Sequence, residues 1–300
     1  MKKRILAVLI ATALAVSVTG CAGNATSSSD STSASSVAES SDTSTQTSAD
    51  TSSEDESKNE SSQEESKDLE ANYTKYTLDG DLTQHMIDMS RLNEGNKVRL
   101  ANVIKKLKNG EEVTVGFIGG SITQGTSAGN DLCYAKLTAD WLQQTYSNAK
   151  INYVNAGIGA TGSYIGVHRV ENDLLSKKPD LVFVEFSVND TTENTERNKK
   201  SYDGLLRTIW KSSTNPAIIT IATTQEDGTS FQDQHAEIVK HYDLPMISYR
   251  NTILDTIKHG DIVWKDISDD NIHPNVPGHK IVSQLLQAYI SDVDKDVDNI

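Results

Sequence analysis

The stretch Val113-Thr-Val-Gly-Phe-Ile-Gly-Gly-Ser-Ile-Thr-Gln-Gly125 is the most informative part of the sequence for the fold. Its first six residues form a short apolar run, which is typical of a strand buried on both faces of a parallel sheet. Two glycines end the run, and Ser121 follows on a tight turn that leads toward a helix. A strand that passes directly into a helix is the repeating unit of α/β folds.

The same alternation of strands and helices continues along the rest of the chain. Apolar runs predict further strands at 151–154, 181–186, 217–221 and 245–248, and helical periodicity predicts helices at 96–109, 132–146, 164–175, 202–211, 234–242 and from about 275 to 289. Strands and helices at this spacing form βαβ units with a parallel sheet covered on both faces. The predicted fold class is therefore α/β, a three-layer α/β/α sandwich around a five-stranded parallel sheet.

The N-terminus has the features of an export signal. A basic start, Met1-Lys-Lys-Arg4, precedes a short apolar stretch that ends in Val18-Thr-Gly-Cys21. These features predict a secretory signal at residues 1–21, and Val-Thr-Gly-Cys resembles the bacterial lipobox, whose cysteine is acylated and becomes the mature N-terminus. Two or more acyl chains give a stable membrane anchor. We therefore expect a protein anchored through Cys21 on the extracytoplasmic face of the cell membrane, with an ordinary signal peptide as the alternative.

Residues 22–72 differ in composition from the rest of the chain. Between Asn24 and Asp68, 23 of 45 residues are Ser or Thr, and 22–72 contains twelve acidic and two basic residues. Low hydrophobicity and like charge predict a disordered linker, which leaves residues 73–300 as one domain, expected to be monomeric. Because the net charge is −14, little of the chain could neutralise phosphates, and no nucleic-acid partner is expected. With Cys21 assigned to lipid, Cys133 is expected to be a small buried residue on a helix.

Polar and glycine-rich segments follow the predicted strands at their carboxyl ends. Ligands of parallel α/β sheets bind outside these ends, so the segments should converge on one rim. Three of them follow strands and the fourth precedes the last helix: 119–125, 155–162, 187–190 and 269–274.

Two of these segments suggest nucleotide binding, but neither satisfies the full pattern. Gly157-Ile-Gly-Ala-Thr-Gly162 fits G-x-G-x-x-G after a strand and before a helix. The dinucleotide fingerprint belongs on the first strand of its unit and needs an acidic residue at the end of the next strand. Here that strand ends in Phe186-Ser187, and Glu185 is buried by pattern. The segment Gly119-Gly-Ser121 lacks the lysine of a P-loop.

Ser121 and His273 are candidates for a nucleophile and its base. A serine after a strand often only caps a helix, so a catalytic role requires a base nearby. Asp270 precedes His273 by three residues, a spacing that lets its carboxylate reach one ring nitrogen while the other faces a substrate. His279 is expected to be a surface or packing residue. A metal site shared by His279 and His273 is the alternative, although no carboxylate cluster supports it.

Taken together, the four segments resemble the SGNH/GDSL hydrolase family, serine esterases on a three-layer α/β/α fold of the flavodoxin-like kind. The blocks that match are Gly-Gly-Ser121-Ile-Thr for the nucleophile, Asn155-Ala-Gly-Ile-Gly159 for the glycine block, Val188-Asn189-Asp190 for the asparagine block, and Asp270-x-x-His273-Pro at the end. The resemblance extends over about 113–290. Gly120 stands where the family usually has Asp, Ser187 stands where it usually has Gly, and Ala160 competes with Gly159 for the aligned position.

The resemblance implies a Ser-His-Asp mechanism. Ser121 would attack an ester carbonyl, His273 would act as general base, and Asp270 would fix the tautomer of the imidazole. The backbone N–H groups of Ser121 and Gly159 and the side-chain amide of Asn189 would form the oxyanion hole. Neither a metal nor an organic cofactor is implied.

The resemblance also implies a substrate class. Family members cleave acyl esters, and an extracytoplasmic location favours acetyl esters on cell-wall or dietary polysaccharide. Asp190 is expected to support the asparagine loop rather than take part in chemistry. The alternative is a non-catalytic, lipid-anchored carbohydrate-binding protein on the same fold.

Overall fold

A six-stranded sheet runs through the centre of the protein, in a computed structural model that describes residues 73–191 and 194–300. The strands are β1 (Arg91–Asn93), β2 (Glu112–Gly119), β3 (Lys150–Gly157), β4 (Leu181–Glu185), β5 (Ala217–Ala222) and β6 (Met246–Ser248). Their order in the sheet is β1-β6-β5-β4-β2-β3. The pairs from β6 to β3 are parallel, and β1 is antiparallel to β6.

Two predictions concern residues outside this description. The signal segment 1–21 with its lipobox at Cys21, and the linker at 22–72, both precede the first described residue. Among the helices of residues 73–191 and 194–300, none is long and apolar enough to cross a bilayer.

The predicted count of five strands is wrong by one. The five predicted strands are all present, and β1 adds a sixth along the edge of β6. Its three residues, Arg-Leu-Asn, are half-buried and contain a single apolar side chain. Because such a short segment has no periodicity, only pairing with Met246 and Ile247 identifies it as a strand.

Helices cover both faces of the sheet, which confirms the predicted three-layer α/β/α architecture. They are α1 (Gln84–Ser90), α2 (Val98–Lys108), α3 (Ser121–Gln124), α4 (Tyr134–Thr145), α5 (Ser163–Asp173), α6 (Thr195–Trp210), α7 (Gln232–His241), α8 (Tyr249–Lys258), α9 (Trp264–Ile267) and α10 (Val276–Lys295). Phe117 and Phe183, stacked 4.6 Å apart, face the core under α2, α4 and α10. Ile118 and Val184 face the opposite core, under α5, α6 and α7.

Side-chain caps explain several helix boundaries that periodicity did not locate. α6 begins seven residues before its predicted start because the Asn194 side chain accepts a hydrogen bond from the Arg197 amide at 3.0 Å. α8 follows β6 directly, where Ser248 Oγ accepts from the Asn251 amide at 2.9 Å. Cys133 is buried as expected, although it lies immediately before α4 rather than within a helix.

The register of the central strands brings the polar segments to one edge. Gly119 of β2 pairs with Gly157 of β3 on one side and with Glu185 of β4 on the other, so all three strands end at the same level. Arg169 of α5 ties two of these ends together, since its guanidinium donates to the carbonyls of Ala156 and Gly119. The segments that follow β2, β3 and β4 therefore lie side by side.

Candidate active site

Ser121 is the first residue of the short helix α3, directly after the glycine pair that ends β2. The residue is 8% exposed, so its hydroxyl is presented from a largely enclosed position. Gly120 is required by its surroundings, because a Cβ there would lie 2.0 Å from Asn189 Oδ1. Because position 120 has no side chain, Asn189 can lie close to Ser121.

The structure brings Ser121, His273 and Asp270 into one hydrogen-bonded chain. His273 Nε2 lies 2.9 Å from Ser121 Oγ, and His273 Nδ1 lies 2.7 Å from Asp270 Oδ2. Both distances are within the range for a nucleophile, its base and the group that orients the base. When Nδ1 carries a proton that it donates to Asp270, Nε2 is left free to accept the serine proton.

Contacts within the loop before α10 fix the positions of Asp270 and His273. The second carboxylate oxygen of Asp270, Oδ1, accepts hydrogen bonds from the amides of Ile272 and His273 at 2.7 and 2.6 Å. Trp264 Nε1 donates to the Asp270 carbonyl at 2.6 Å. Ser268 Oγ lies 2.8 Å from that carbonyl and 2.6 Å from the carbonyl of His273. These contacts hold the loop in the conformation that presents the two side chains.

These contacts also set the charge of Asp270. Partial burial alone would raise its pKa, but the hydrogen bonds from the His273 ring and from the His273 and Ile272 amides outweigh that cost and lower it. The carboxylate is therefore ionised at neutral pH and can stabilise the imidazolium form of His273. Because the Asp270 side chain is 46% exposed, water screens part of this stabilisation.

The predicted oxyanion donor at Gly159 is already engaged in a hydrogen bond. The Gly159 amide donates to Gln124 Oε1 at 2.9 Å, and a Cβ on Gly159 would lie 3.9 Å from Ser121 Cβ. The amide therefore lies near the nucleophile, with the Gln124 carbonyl oxygen as its present acceptor. Ala160, the other candidate for this role, has a positive φ of 57°, a conformation that is costly for a residue with a Cβ.

Asp190 supports the turn that carries Asn189, as the sequence predicted. One carboxylate oxygen accepts from the Ser163 amide at 2.8 Å, and the other lies 2.9 Å from Nε2 of the fully buried His235. Burial lowers the pKa of His235, so the imidazole is neutral and its Nε2–H donates to Asp190. Asn198 Nδ2 binds the Asp190 carbonyl at 2.9 Å. Three elements thus converge on this one aspartate.

Protein atoms fill the space beside the glycines of the segment 157–162. A Cβ at Gly157 would lie 2.3 Å from the Gln124 backbone nitrogen, and a Cβ at Gly162 would lie 2.5 Å from Asp190 Oδ1. These glycines allow the segment to approach α3 and the Asn189 turn. Their spacing therefore has a structural explanation that needs no nucleotide.

His279 is a buried packing residue of α10. Its Nδ1 accepts a hydrogen bond from the Tyr134 amide at 3.1 Å, and burial lowers its pKa to about 4. The imidazole therefore remains neutral and joins α10 to the start of α4. Its other ring nitrogen, Nε2, lies 3.5 Å from the carbonyl of Thr126, so both ring nitrogens face protein atoms.

Four residues of the site gave no recognisable signal in the sequence: Gln124, His235, Trp264 and Ser268. Each acts through contacts that depend on the tertiary structure, such as the 2.9 Å contact between His235 and Asp190. A buried, lone histidine in a helix is normally a packing residue, so its pairing with Asp190 could not be read from spacing.

Comparisons with known proteins identify the family and the fold. Residues 117–281 match the model of the GDSL-like lipase/acylhydrolase family. A two-domain esterase active on acetylated mannans is 38% identical with a TM-score of 0.67, over 69% of this chain and 56% of that one. This chain therefore spans little more than half of that protein. No curated protein sequence matches.

More distant structures share the fold. An acetylxylan esterase from Geobacillus stearothermophilus is 20% identical with a TM-score of 0.50, over 59% of this chain and 94% of that one. An α/β hydrolase from the metagenome of Lake Arreo is 18% identical with a TM-score of 0.52, over 60% and 95%. Since the matched family segment covers more than half of the sequence and contains Ser121 and His273, the chain belongs to the GDSL-like lipase/acylhydrolase family.

Proposed function

We propose that this protein is a serine esterase that removes acetyl groups from polysaccharide while anchored by lipid at Cys21. The observation that carries the proposal is the hydrogen-bonded chain from Ser121 Oγ through His273 to Asp270, with distances of 2.9 and 2.7 Å. A carbohydrate-binding protein without catalytic activity has no need for this arrangement.

In the first half of the reaction, Ser121 Oγ attacks the carbonyl carbon of the ester. His273 Nε2 accepts the serine proton, and Asp270 stabilises the resulting imidazolium. The carbonyl oxygen becomes an oxyanion that the Ser121 amide and the Asn189 side-chain amide would hold, joined by the Gly159 amide once it leaves Gln124. Collapse of this intermediate expels the alcohol, which takes its proton from His273, and leaves an acyl group on Ser121.

In the second half, water hydrolyses the acyl-enzyme. His273 Nε2 removes a proton from the water as it attacks the acyl carbonyl, and the same donors hold the second oxyanion. The acid is released, the proton on His273 returns to Ser121 Oγ, and the free enzyme is restored. No step requires a group beyond the residues named.

The substrate class rests on the neighbouring structures. The esterase that is 38% identical is active on acetylated mannans. Acetyl esters on a neutral polysaccharide are therefore the substrates we propose first. The proposed anchorage rests on the sequence Val-Thr-Gly-Cys21 at the end of an apolar segment.

Single substitutions test the mechanism. Ser121→Ala removes the nucleophile and His273→Ala removes the base, and each should lower turnover of an acetyl ester by about 10³-fold or more. The double variant should lose little beyond either single one, because the two groups act as a unit. His241→Ala, an exposed histidine at the end of α7, is the matched control and should retain full activity. A Ser121→Ala variant as active as the wild type would exclude the proposed mechanism.

Acetate release tests the substrate class separately. The full chain is incubated with acetylated mannan, with acetylated xylan, and with p-nitrophenyl esters of increasing acyl length. We expect kcat/KM to fall as the acyl chain lengthens and acetate to be released from at least one polysaccharide. Activity confined to long-chain esters would retain the serine mechanism and exclude the proposed substrate.

A further inference from the structure

A second cluster of polar side chains lies where α1 meets α8. His85 belongs to α1, Asp255 belongs to α8, and His259 follows α8 directly. Asp255 Oδ2 lies between the two imidazoles, 2.6 Å from His85 Nε2 and 3.3 Å from His259 Nδ1. His259 Nδ1 also lies 3.0 Å from the backbone carbonyl oxygen of Asp255, a contact that a metal ion bound at Nδ1 would replace. One ligand atom from each of the three residues lies within 4.8 Å of the others, which is true of no other group of three or more His, Cys, Asp or Glu in 73–191 and 194–300.

We propose that His85, Asp255 and His259 form a binding site for a divalent transition-metal ion such as Zn²⁺. Zinc binds imidazole nitrogen and carboxylate oxygen at about 2.0–2.2 Å, so neighbouring ligand atoms in a tetrahedral site lie roughly 3–4 Å apart. The separation of 3.3 Å already fits this range, and the separation of 2.6 Å has to open by less than 1 Å. Imidazole and carboxylate together favour zinc and its neighbours over magnesium or calcium.

Local helix geometry supports the site. Asp255 and His259 are four residues apart, so their side chains project from the same face at the end of α8. His85 reaches them from a different helix, and its side chain is 4% exposed, against 13% for Asp255 and 17% for His259. Two ligands from one helix turn and a third from a separate element make three protein ligands, and a water molecule would complete the tetrahedral coordination of zinc.

The surroundings of the cluster are aromatic and acidic. The Tyr73 ring stacks on His259 with centroids 4.2 Å apart and meets the His85 ring edge-on at 5.4 Å. Its hydroxyl bonds to Asp261, so a second carboxylate lies beside the cluster. The negative field of two carboxylates favours a bound cation, and the ring of Tyr73 limits its contact with solvent.

The cluster lies at the end of α8 remote from the triad. α8 starts at the carboxyl end of β6, the edge of the sheet on which the catalytic segments converge. The helix then runs back along the sheet for ten residues, a length of about 15 Å, before it reaches His259. A metal ion here would therefore act on stability rather than on the ester.

The position of the cluster indicates what the metal would hold together. The Tyr76 amide donates to Asp261 Oδ2 at 2.8 Å, so residues 73–76 lie against the loop that follows α8. A metal shared by His85 and His259 would fasten α1 to the same loop. Residues 73–76 are the first that the structure describes. The metal would therefore stabilise the packing of this segment and of α1 against the loop after α8.

Thermal unfolding of the full chain tests the site. The protein is stripped with a chelator, dialysed, and melted alone, with Zn²⁺ and with Mg²⁺, and bound zinc is counted after a second dialysis. At a free Zn²⁺ concentration of about 100 times Kd, we expect Tm to rise by roughly 5–10 °C. Mg²⁺ should cause little change. The His273→Ala variant should show the same rise, which separates this site from binding at the triad.

Variants assign the effect to the cluster. His259→Gln and Asp255→Asn keep polar side chains of similar size and should each abolish the rise in Tm and lower the zinc content by one equivalent. His241→Gln, outside the cluster, should leave both unchanged. The proposal is overturned if Zn²⁺ does not raise Tm, if either cluster variant keeps the full rise, or if Mg²⁺ acts as well as Zn²⁺. In each of these cases the cluster is a hydrogen-bonded network only.

Discussion

Gly120 shows how one missing side chain shapes the site. The family usually has an aspartate at this position, but here a Cβ would lie 2.0 Å from Asn189 Oδ1 and 2.9 Å from Asn189 Cγ. The backbone of Gly120 has a φ of −88°, which any residue can adopt. The glycine is therefore required for space and not for its conformational freedom.

Gly120→Ala is predicted to lower kcat by displacing Asn189. Loss of one oxyanion donor costs about 10²–10³-fold in turnover, which sets the largest effect expected for the variant. Gly204→Ala is the control, because a Cβ there meets Val167 at an ordinary 3.6 Å. Initial velocities would measure the loss of kcat, and a crystal structure of the variant would show whether Asn189 is displaced. Wild-type kcat in Gly120→Ala would show that Asn189 does not contribute to the reaction.

The side-chain oxygen of Gln124 competes with the proposed oxyanion for the Gly159 amide. This oxygen accepts the Gly159 amide at 2.9 Å, and that amide must be released before it can hold an oxyanion. A hydrogen bond of this kind contributes about 0.5–1.5 kcal/mol, so removing it should change kcat by a small factor.

Gln124→Ala is predicted to raise kcat by about 2- to 10-fold, because the Gly159 amide then has no acceptor to give up. Gln124→Glu should lower kcat, since a carboxylate binds the amide more strongly and repels the oxyanion. The two variants are compared on the same acetyl ester. A fall in kcat for Gln124→Ala would indicate instead that the Gln124 amide itself contributes to the site.

At the scale of the elements, the ends of β4 and β5 are joined by a buried carboxyl group. Glu185 is fully buried at the end of β4, and Thr223 Oγ1 donates to it at 2.7 Å from just beyond β5. Ser187, which stands where the family usually has glycine, lies 3.4 Å from Glu185 and 3.2 Å from Thr223 Oγ1. Burial raises the pKa of Glu185 to about 7 despite these hydrogen bonds.

The raised pKa predicts that the free energy of unfolding falls as pH rises. The folded protein keeps the Glu185 proton up to about pH 7, whereas the unfolded chain loses it near 4.5, so stability is lost between these values. The loss from this group is at most about 3 kcal/mol. Glu185→Gln should remove this part of the pH dependence, as measured by urea unfolding at pH 5 and pH 8. The exposed Glu171→Gln should not, and an unchanged slope in Glu185→Gln would contradict the prediction.

The sequence located the buried strands well and the short edge elements poorly. β2, β4 and β5 consist of apolar runs that are buried on both faces, so hydrophobicity alone identified them. β1 and α1 have three and seven residues and little apolar periodicity. Their structure depends on neighbours: β1 pairs with β6, and the Thr83 side chain caps α1.

For the whole molecule, the proposed anchorage makes a prediction independent of the domain. Cys21→Ala removes the sulfur that would carry the acyl chain, so the protein should leave the membrane fraction and appear in the soluble fraction. Because the triad lies within residues 121–273, esterase activity should be unchanged. Fractionation of cells followed by an activity assay checks both results. A Cys21→Ala protein that stays on the membrane after a salt wash would exclude the lipid anchor.

The sequence by itself determined the fold class, the order of the five parallel strands along the chain and the four segments that make up the site. These features depend on local composition: apolar runs make buried strands, glycines end them, and ligand-binding segments follow at their carboxyl ends. Tertiary structure decided which polar side chains meet. The bond from Gly159 to Gln124, the pairing of His235 with Asp190 and the cluster of His85 with Asp255 join residues 35, 45 and 170 positions apart, and only packing of the sheet and helices brings such groups together.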